Sequence, residues 1–416
     1  MAESSLFSPA PCRIRMPRAA ILLPRAPVNQ VPSWWRMVVL GFVVFLLAIE
    51  LSHLWQSPEY VGFDFHAYEA AALVGQQSGW SHIYDQGLVK AAESQLVPHQ
   101  STLRFISPPP VAWLAVPLTP LPFWLAYGVW AALMFSTLAF ALAWSTSYQG
   151  LTRLVAVGVA IVPWWVLHAL YVGQVVPLIA ASVLIAWRLL REDRDVAAGI
   201  VLSVTVLKPQ AAALAPLALL AAGRYRAFGA WVAAAVTVAG TSLLTLGPHG
   251  LAGYRASLDL LPASSSDLTF GGAFGLTGAG VAVSSALIAI AALVTARRVR
   301  SAPGIAISIG VVASLLATPY LYENDLCLLG AAGWILWEER PTPFWRASLL
   351  AIWILAATHL VVTGVGAPTL RNWPLVELAL FVALLAAAWF GFLDRPPTAS
   401  STAIAGEADR GTRATA

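Results

Sequence analysis

Asp64 and Lys208 are the two residues whose types and settings best suit chemistry. Asp64 lies in Val61-Gly62-Phe63-Asp64-Phe65-His66-Ala67-Tyr68, a few residues past the first membrane-length apolar run. A carboxylate there, half shielded by apolar neighbours, suits a general base that stays mostly ionised yet accepts a proton late in a reaction. If the segment from Asp64 to Gly75 is helical, Tyr68 shares its face at i, i+4. The alternative role for an Asp directly before a helical run is an N-cap. Lys208 interrupts a 27-residue apolar run, Val196 to Ala222. An ammonium in hydrocarbon is costly, and half-helices broken at depth usually line a cavity. As a point charge it suits an anionic group such as phosphate. The alternative is a lysine snorkelling to lipid headgroups.

Glu323, Asn324 and Asp325 sit with Tyr320 and Tyr322 where one span ends and the next begins. They can bind sugar hydroxyls, position Lys208 by charge, or form only a polar turn. Arg371, in the last outer loop, is placed for phosphate or for lipid headgroups. His66, His82 and His99 share the first outer loop with Asp85 and Glu93, but their spacings match no metal signature, so neither metal nor cofactor is expected. His168 and His359 read as packed polar residues at span ends, and Glu50 and Glu377 as interhelical hydrogen-bond partners.

The elements that must position these groups are membrane helices. Of 416 residues 59% are hydrophobic and 11% charged, and the mean hydropathy is +0.74. That composition belongs to an all-α polytopic integral membrane protein, and no stretch is polar enough for a separate soluble domain. A net charge of +4 does not point to nucleic acid, because the cations fall in short clusters between apolar runs, as topology signals do. Cys12 and Cys327 are too few for a disulfide framework or a zinc site. Lys90 and Lys208 are the only lysines beside 22 arginines, which suits a GC-rich bacterial genome.

Residues 1–34 and 394–416 read as disordered cytoplasmic arms flanking one membrane domain, 35–393. Trp35 to Trp55 is a first span with Trp at both ends. A polar outer segment, 56–107, follows, with helix-like spacing over Phe65 to Gly75 and Leu88 to Val97. Pro122 to Trp144, Leu154 to Leu167 and Val175 to Leu190 are further spans. After Val196 to Ala222 come Phe228 to Leu246, an outer loop, Leu276 to Ala296, Gly304 to Thr318, Asp325 to Trp337, Phe344 to Val362 and Trp373 to Leu393. Arg191 and Arg194 precede the run holding Lys208, and Arg224 and Arg226 follow it. Both clusters belong on the inner side, which a single crossing cannot satisfy. A break at Lys208-Pro209 makes the run a hairpin with Lys208 at its tip. The resulting 10–12 crossings put 19 of the 24 Lys and Arg inside, with both termini cytoplasmic.

Several motifs together resemble glycosyltransferase family 87, over roughly Trp35 to Trp389. They are Gly62-Phe63-Asp64-Phe65-His66-Ala67-Tyr68 followed by Ile83-Tyr84-Asp85; Ser107-Pro108-Pro109-Pro110 with Pro117-Leu118-Thr119-Pro120-Leu121-Pro122; Gly173-Gln174; Leu207-Lys208-Pro209; and Thr318-Pro319-Tyr320. Family members often carry Asn where this chain has Val176, and a His-His pair where it has Tyr322-Glu323-Asn324-Asp325. The resemblance implies a GT-C-like fold in a bacterial plasma membrane and transfer of a hexose, foremost mannose, from a polyprenyl-phosphate donor. It implies a glycolipid or polysaccharide of the envelope as the acceptor. It implies an extracytoplasmic active site with Asp64 as catalytic base, and Lys208, Arg371, Tyr68, His66, Gln174, Tyr320 and Asp325 about the substrates. A lipid phosphate leaves without an acid, so one base and one cation suffice for an inverting transfer. The alternative class, a transporter or flippase for a lipid-linked or anionic substrate, calls for ionisable residues along several spans. Here they gather at the outer side.

Overall fold

The computed structural model describes residues 33–56, 58–98, 100–259, 269–339, 341–362 and 374–390, and among these no β-strand occurs. The two terminal arms and Arg371 lie outside the described residues, and the side chains of Glu50, His99 and His359 are likewise undescribed. Three helices are long and apolar enough to cross a membrane unaided: Phe123–Ser145, Tyr225–Leu258 and Ala279–Arg298. Gly150–Ile161 and Trp164–Val172 make a fourth together, bent by 72° where Pro163 withholds a backbone donor. Shorter apolar helices, Met37–Ile49, Pro303–Ala317 and Val376–Trp389 among them, complete the bundle. The chain is an all-α polytopic membrane protein.

In chain order the elements that hold the site are α1 (Phe63–Ser78), α2 (Gln86–Leu96), α3 (Phe123–Ser145), α4 (Gly150–Ile161) and α5 (Trp164–Val172). They continue with α6 (Val176–Arg191), α7 (Asp195–Leu202), α8 (Pro209–Ala212), α9 (Leu214–Ala221), α10 (Tyr225–Leu258) and α11 (Ala279–Arg298). The last are α12 (Pro303–Ala317), α13 (Cys327–Glu338), α14 (Pro343–Val362) and α15 (Pro374–Phe390). Nearly every residue of α12 is buried, as befits a helix apolar on all sides that forms the core of a bundle.

The run from Val196 to Ala222 is a hairpin. As one helix its ends would lie ~40 Å apart, yet Arg224 Nη1 sits 3.2 Å from Asp195 Oδ1 and 3.5 Å from Asp193 Oδ1. The bases of the two arms therefore touch. Gly199 on α7 packs so closely on α10 that a side chain there would strike the Ala227 carbonyl. After α7 the chain tightens into a 3-10 turn, Ser203–Leu207, and reverses at Lys208 before Pro209 opens α8. Breaking a helix at depth frees backbone groups that need partners. One is met by Ser314 Oγ of α12, which accepts from Leu214 N at 2.9 Å. Trp231 Nε1 of α10 meanwhile donates to Thr205 Oγ1 at 3.1 Å.

The first outer segment departs from its expected form. Although polar in composition it is no solvated loop, since Phe65 to Ala72 are buried throughout and α1 seals one end of the bundle. The outer loop expected after Leu246 also begins as helix. Gly247 (φ 59°, ψ −173°) kinks α10, Pro248 restarts it, and the extension runs to Leu258. Pro is well suited to a first helical turn, so the apolar run ends at Gly247 while the helix goes on. The extension packs on the first outer segment: His82 faces His249 and Tyr84 faces Tyr254, each at 4.9 Å between ring centroids. Gln86 Nε2 donates to Ser257 Oγ at 3.0 Å. At the other end of the bundle Glu338 accepts from Thr146 Oγ1 (2.6 Å) and Ser147 N (2.8 Å), tying α13 to the turn before α4.

Topology can be read by cysteine labelling in membrane vesicles of a variant with Cys12 and Cys327 replaced by Ala. Cysteines at Asp193 and Arg226 are expected to react with an impermeant maleimide from one side of the membrane, and a cysteine at Ser81 only from the other. A continuous crossing would instead put 193 and 226 on opposite sides.

Candidate active site

Two glycines set where Asp64 goes. Gly62 adopts a left-handed conformation (φ 70°) as the residue before α1, and a Cβ there would stand 3.1–3.2 Å from the rings of Tyr127 and Phe123. Its N–H donates to Tyr171 O at 2.8 Å, which fixes the start of α1 on the end of α5. Gly173 (φ 78°) closes α5, and a side chain there would stand 2.6 Å from Phe65 Cβ. Both positions require a left-handed backbone and close approach, which glycine alone supplies cheaply. Trp130 Nε1 of α3 donates to Gly173 O at 2.8 Å. The first turn of α1 is thereby pressed against the α5–α6 junction, and Gln174 is brought to Asp64.

Asp64 is not an N-cap. Gly62 holds that position with no side-chain capping bond. Asp85 is the residue that caps in this segment, accepting from Gly87 N and Leu88 N ahead of α2. Asp64, one residue inside the helix, instead bonds to the Gln174 side chain. Gln174 Oε1 accepts from Tyr68 O–H at 2.9 Å, so its amide N–H groups are turned to the carboxylate. Tyr68 and Asp64 share a helix face, as their spacing predicts, and Gln174 bridges them.

Lys208 and Asp325 lie within electrostatic reach of Asp64. Lys208, 8% exposed, places Nζ 2.6 Å from Oδ1 of Asp325, which is 1% exposed. The other oxygen, Oδ2, accepts from Tyr322 N at 3.1 Å. One carboxylate therefore both caps the Glu323–Leu326 turn and holds the ammonium. The turn reading and the lysine-positioning reading of this stretch are both true. The Tyr322 ring adds a cation–π contact, its centroid 5.8 Å from Nζ. Lys208 is thus tied inside the protein, not to headgroups.

The site's electrostatics follow from this packing. Asp64 is half-buried, but protein atoms crowd its carboxyl and loss of hydration pushes it up to about 6. Lys208 and the Gln174 bond pull it down, and Asp325 pushes it up. Such a carboxylate is ionised at neutral pH and still basic enough to take a proton.

His66 lies apart from this cluster. It is fully buried against α2 and α3, its Nε2 3.0 Å from Glu93 O, its Nδ1 3.8 Å from Glu93 Oε1 and its ring edge-on to Phe123. Burial lowers its pKa, so it packs α1 onto α2. His66 is two residues from Asp64, a spacing that puts the two side chains on different faces of the helix. Tyr320 lies in the electrostatic reach of Asp325 and Tyr254. Tyr84, of the Ile83-Tyr84-Asp85 motif, has Tyr254 as a neighbour that the sequence did not single out. Tyr84 O–H donates to Ser107 O at 2.7 Å, and Tyr254 arrives on the helical extension past Gly247, visible beforehand only as Gly-Pro.

Beside the charged cluster, not around it, is an apolar cavity of about 360 Å³ among α4, α5, α13, α14 and α15, lined by Trp165, Leu329, Gly330, Trp334, Val376 and Leu380. Its size falls in the range of about 300–1,000 Å³ common for ligand sites. Cys327, two residues past Asp325, donates to Trp165 O at 3.4 Å, so cavity and ion pair share a wall.

Infrared difference titration of the Asp64 carboxyl, identified by its loss in Asp64→Asn, is expected to have a midpoint near pH 6. Lys208→Met removes the cation that favours the ionised form and moves the midpoint up; Asp325→Asn removes an opposing charge and moves it down. A midpoint at the ordinary value of about 4, moved by neither change, contradicts this electrostatic account.

Among known proteins, the family model described as glycosyltransferase family 87 matches residues 105–355, a stretch that holds Gln174, Lys208, Tyr320 and Asp325 and begins after Asp64. No curated protein and no solved structure matches the chain.

Proposed function

The chain belongs to glycosyltransferase family 87, a family of membrane glycosyltransferases, and on that premise we propose that it moves a hexose, foremost mannose, from a polyprenyl-phosphate donor to a hydroxyl of an envelope glycolipid or polysaccharide. The observation that carries the reading is the meeting of Asp64 with the Lys208–Asp325 pair beside an apolar cavity. A base, a cation and a dry cavity are the three things such a transfer asks for.

Asp64 takes the proton of the acceptor hydroxyl as its oxygen attacks the anomeric carbon. The bond from that carbon to the phosphate oxygen breaks, the electron pair leaves with the polyprenyl phosphate, and the configuration at the anomeric carbon inverts. Charge grows on the phosphate as it departs, and Lys208 stabilises it in surroundings where an ammonium acts more strongly than in water. Asp325 holds the lysine in place through the turn it caps. Gln174 orients Asp64, and Tyr68 fixes Gln174. The apolar cavity takes isoprenoid units of the donor, consistent with a wall shared between Trp165 and the ion-pair turn. A carboxylate in the first outer segment over a helical bundle suits a GT-C-like enzyme. The arginine bias favours a bacterial plasma membrane with cytoplasmic termini and an extracytoplasmic site.

With purified protein and polyprenyl-phosphate mannose, Asp64→Asn is expected to lower turnover at least ~10³-fold, within the range of general-base contributions, while folding and membrane insertion persist. Turnover retained by the purified variant removes Asp64 from the chemistry. Lys208→Ala is expected to raise KM for the donor more than KM for the acceptor; equal effects on both argue against a phosphate role.

A further inference from the structure

Glu377 stands in the first turn of α15 with 0% of its surface exposed. Neither carboxyl oxygen has a hydrogen-bond partner among the described residues. Among the described residues, the interhelical bond expected of it in the sequence is not made. A buried polar group without a partner is expensive, and in native proteins each such group has a reason. Glu377 stands within electrostatic reach of Asp325. This brings a third carboxyl, from the far end of the chain, to the Lys208–Asp325 pair.

The rest of α15 narrows its role. The C-terminal end of the helix is tied where Arg298 Nε donates to Ala388 O at 3.1 Å. Val376, one residue before Glu377, and Leu380, one turn after, line the apolar cavity. One helix therefore supplies apolar wall and an unsatisfied carboxyl side by side. In the ion-pair turn Asn324 is also buried, and its Oδ1 is unpartnered. These unused atoms are hydrogen-bond acceptors. They call for a ligand rich in O–H donors, not for a second anion.

We infer that Glu377 is a sugar-binding residue, accepting hydrogen bonds from ring hydroxyls of the hexose carried by the lipid donor, with Asn324 as an accessory acceptor. This rests on the transferase reading above and adds to it a residue that recognises the sugar and not the lipid phosphate. Lys208 and Glu377 then divide the donor between them, the cation holding the phosphate and the carboxyl reading the hydroxyls. A site built to bond a hydroxyl discriminates strongly against an analogue lacking it, because its own acceptor is left unpaired.

The test compares binding of two probes to the purified full-length protein in lipid nanodiscs: polyprenyl-phosphate mannose and the same polyprenyl phosphate without sugar. Glu377→Gln, which replaces a carboxyl oxygen with an amide that cannot accept there, is expected to weaken the sugar-bearing lipid about 10-fold, the cost of one buried hydrogen-bonding group left unpaired. Affinity for the sugar-free lipid should be unchanged, which also shows that the variant is folded. Equal affinity of both proteins for the sugar-bearing lipid overturns the assignment, as does an equal loss for both lipids. Should the variant not fold, wild-type protein with a set of monodeoxy-mannosyl lipids serves. At least one is expected to bind about 10-fold more weakly than the intact donor, and uniform affinity across the set overturns the assignment. If the wild-type protein binds neither probe, the polyprenyl-phosphate reading itself fails; if it binds both and Glu377→Gln changes neither, only the role of Glu377 fails.

Discussion

A buried ammonium in an apolar bundle has to be paired, and much of this structure is arranged to pair Lys208. Removing one partner of a buried ion pair leaves a naked charge and typically costs about 3–5 kcal/mol. To keep the pair, α7 and α9 stop short and fold back on each other, locked at their base by Arg224 and Asp195. The Glu323–Leu326 turn opens α13 with Asp325 aimed at the hairpin tip. Core helix α12 supplies Ser314 to the broken backbone. None of these features is economical for a protein that only fills a membrane. Together they hold one positive charge at a chosen point.

Asp64 depends on that arrangement through charge and not through direct packing. Its position is fixed by left-handed glycines at 62 and 173. Its basicity is a balance in which burial, the largest influence, is opposed by Lys208 and Gln174. A second layer of buried groups lies behind it. Glu93 accepts from Leu103 N at 3.2 Å and faces His66, and burial raises Glu93 to about 8 and Glu69 to about 7. Glu93 mostly keeps its proton near neutrality, and Glu69 keeps it part of the time. They give α1 a polar but largely uncharged backing, which leaves Asp64 as the main anion of that helix.

The hairpin was legible in sequence because two arginine clusters flanking one apolar run allow no other simple topology, and Lys-Pro marks where the run must break. Tyr68 beside Asp64 followed from helical spacing. Other features depend on contacts that no local pattern encodes. The cap reading of Asp64 fails because Gly62 takes a left-handed turn against Tyr127 and Phe123, rings some 60 residues on. The helix past Gly247 was hidden because Gly247-Pro248 reads as a break and two more glycines follow, although it packs on the first outer segment and brings Tyr254 to the site. Glu377 looked like any polar residue in a span, and only its unfilled hydrogen-bonding capacity sets it apart.

The central claim, sugar transfer from a lipid phosphate at the Asp64–Lys208 site, is tested most directly by presenting the purified protein with radiolabelled hexose on two carriers, polyprenyl phosphate and a nucleoside diphosphate, together with extracted envelope lipids. The account predicts that label moves to an acceptor from the polyprenyl carrier alone, with inversion at the anomeric carbon. Transfer from the nucleotide carrier, or a product of retained configuration, would contradict it.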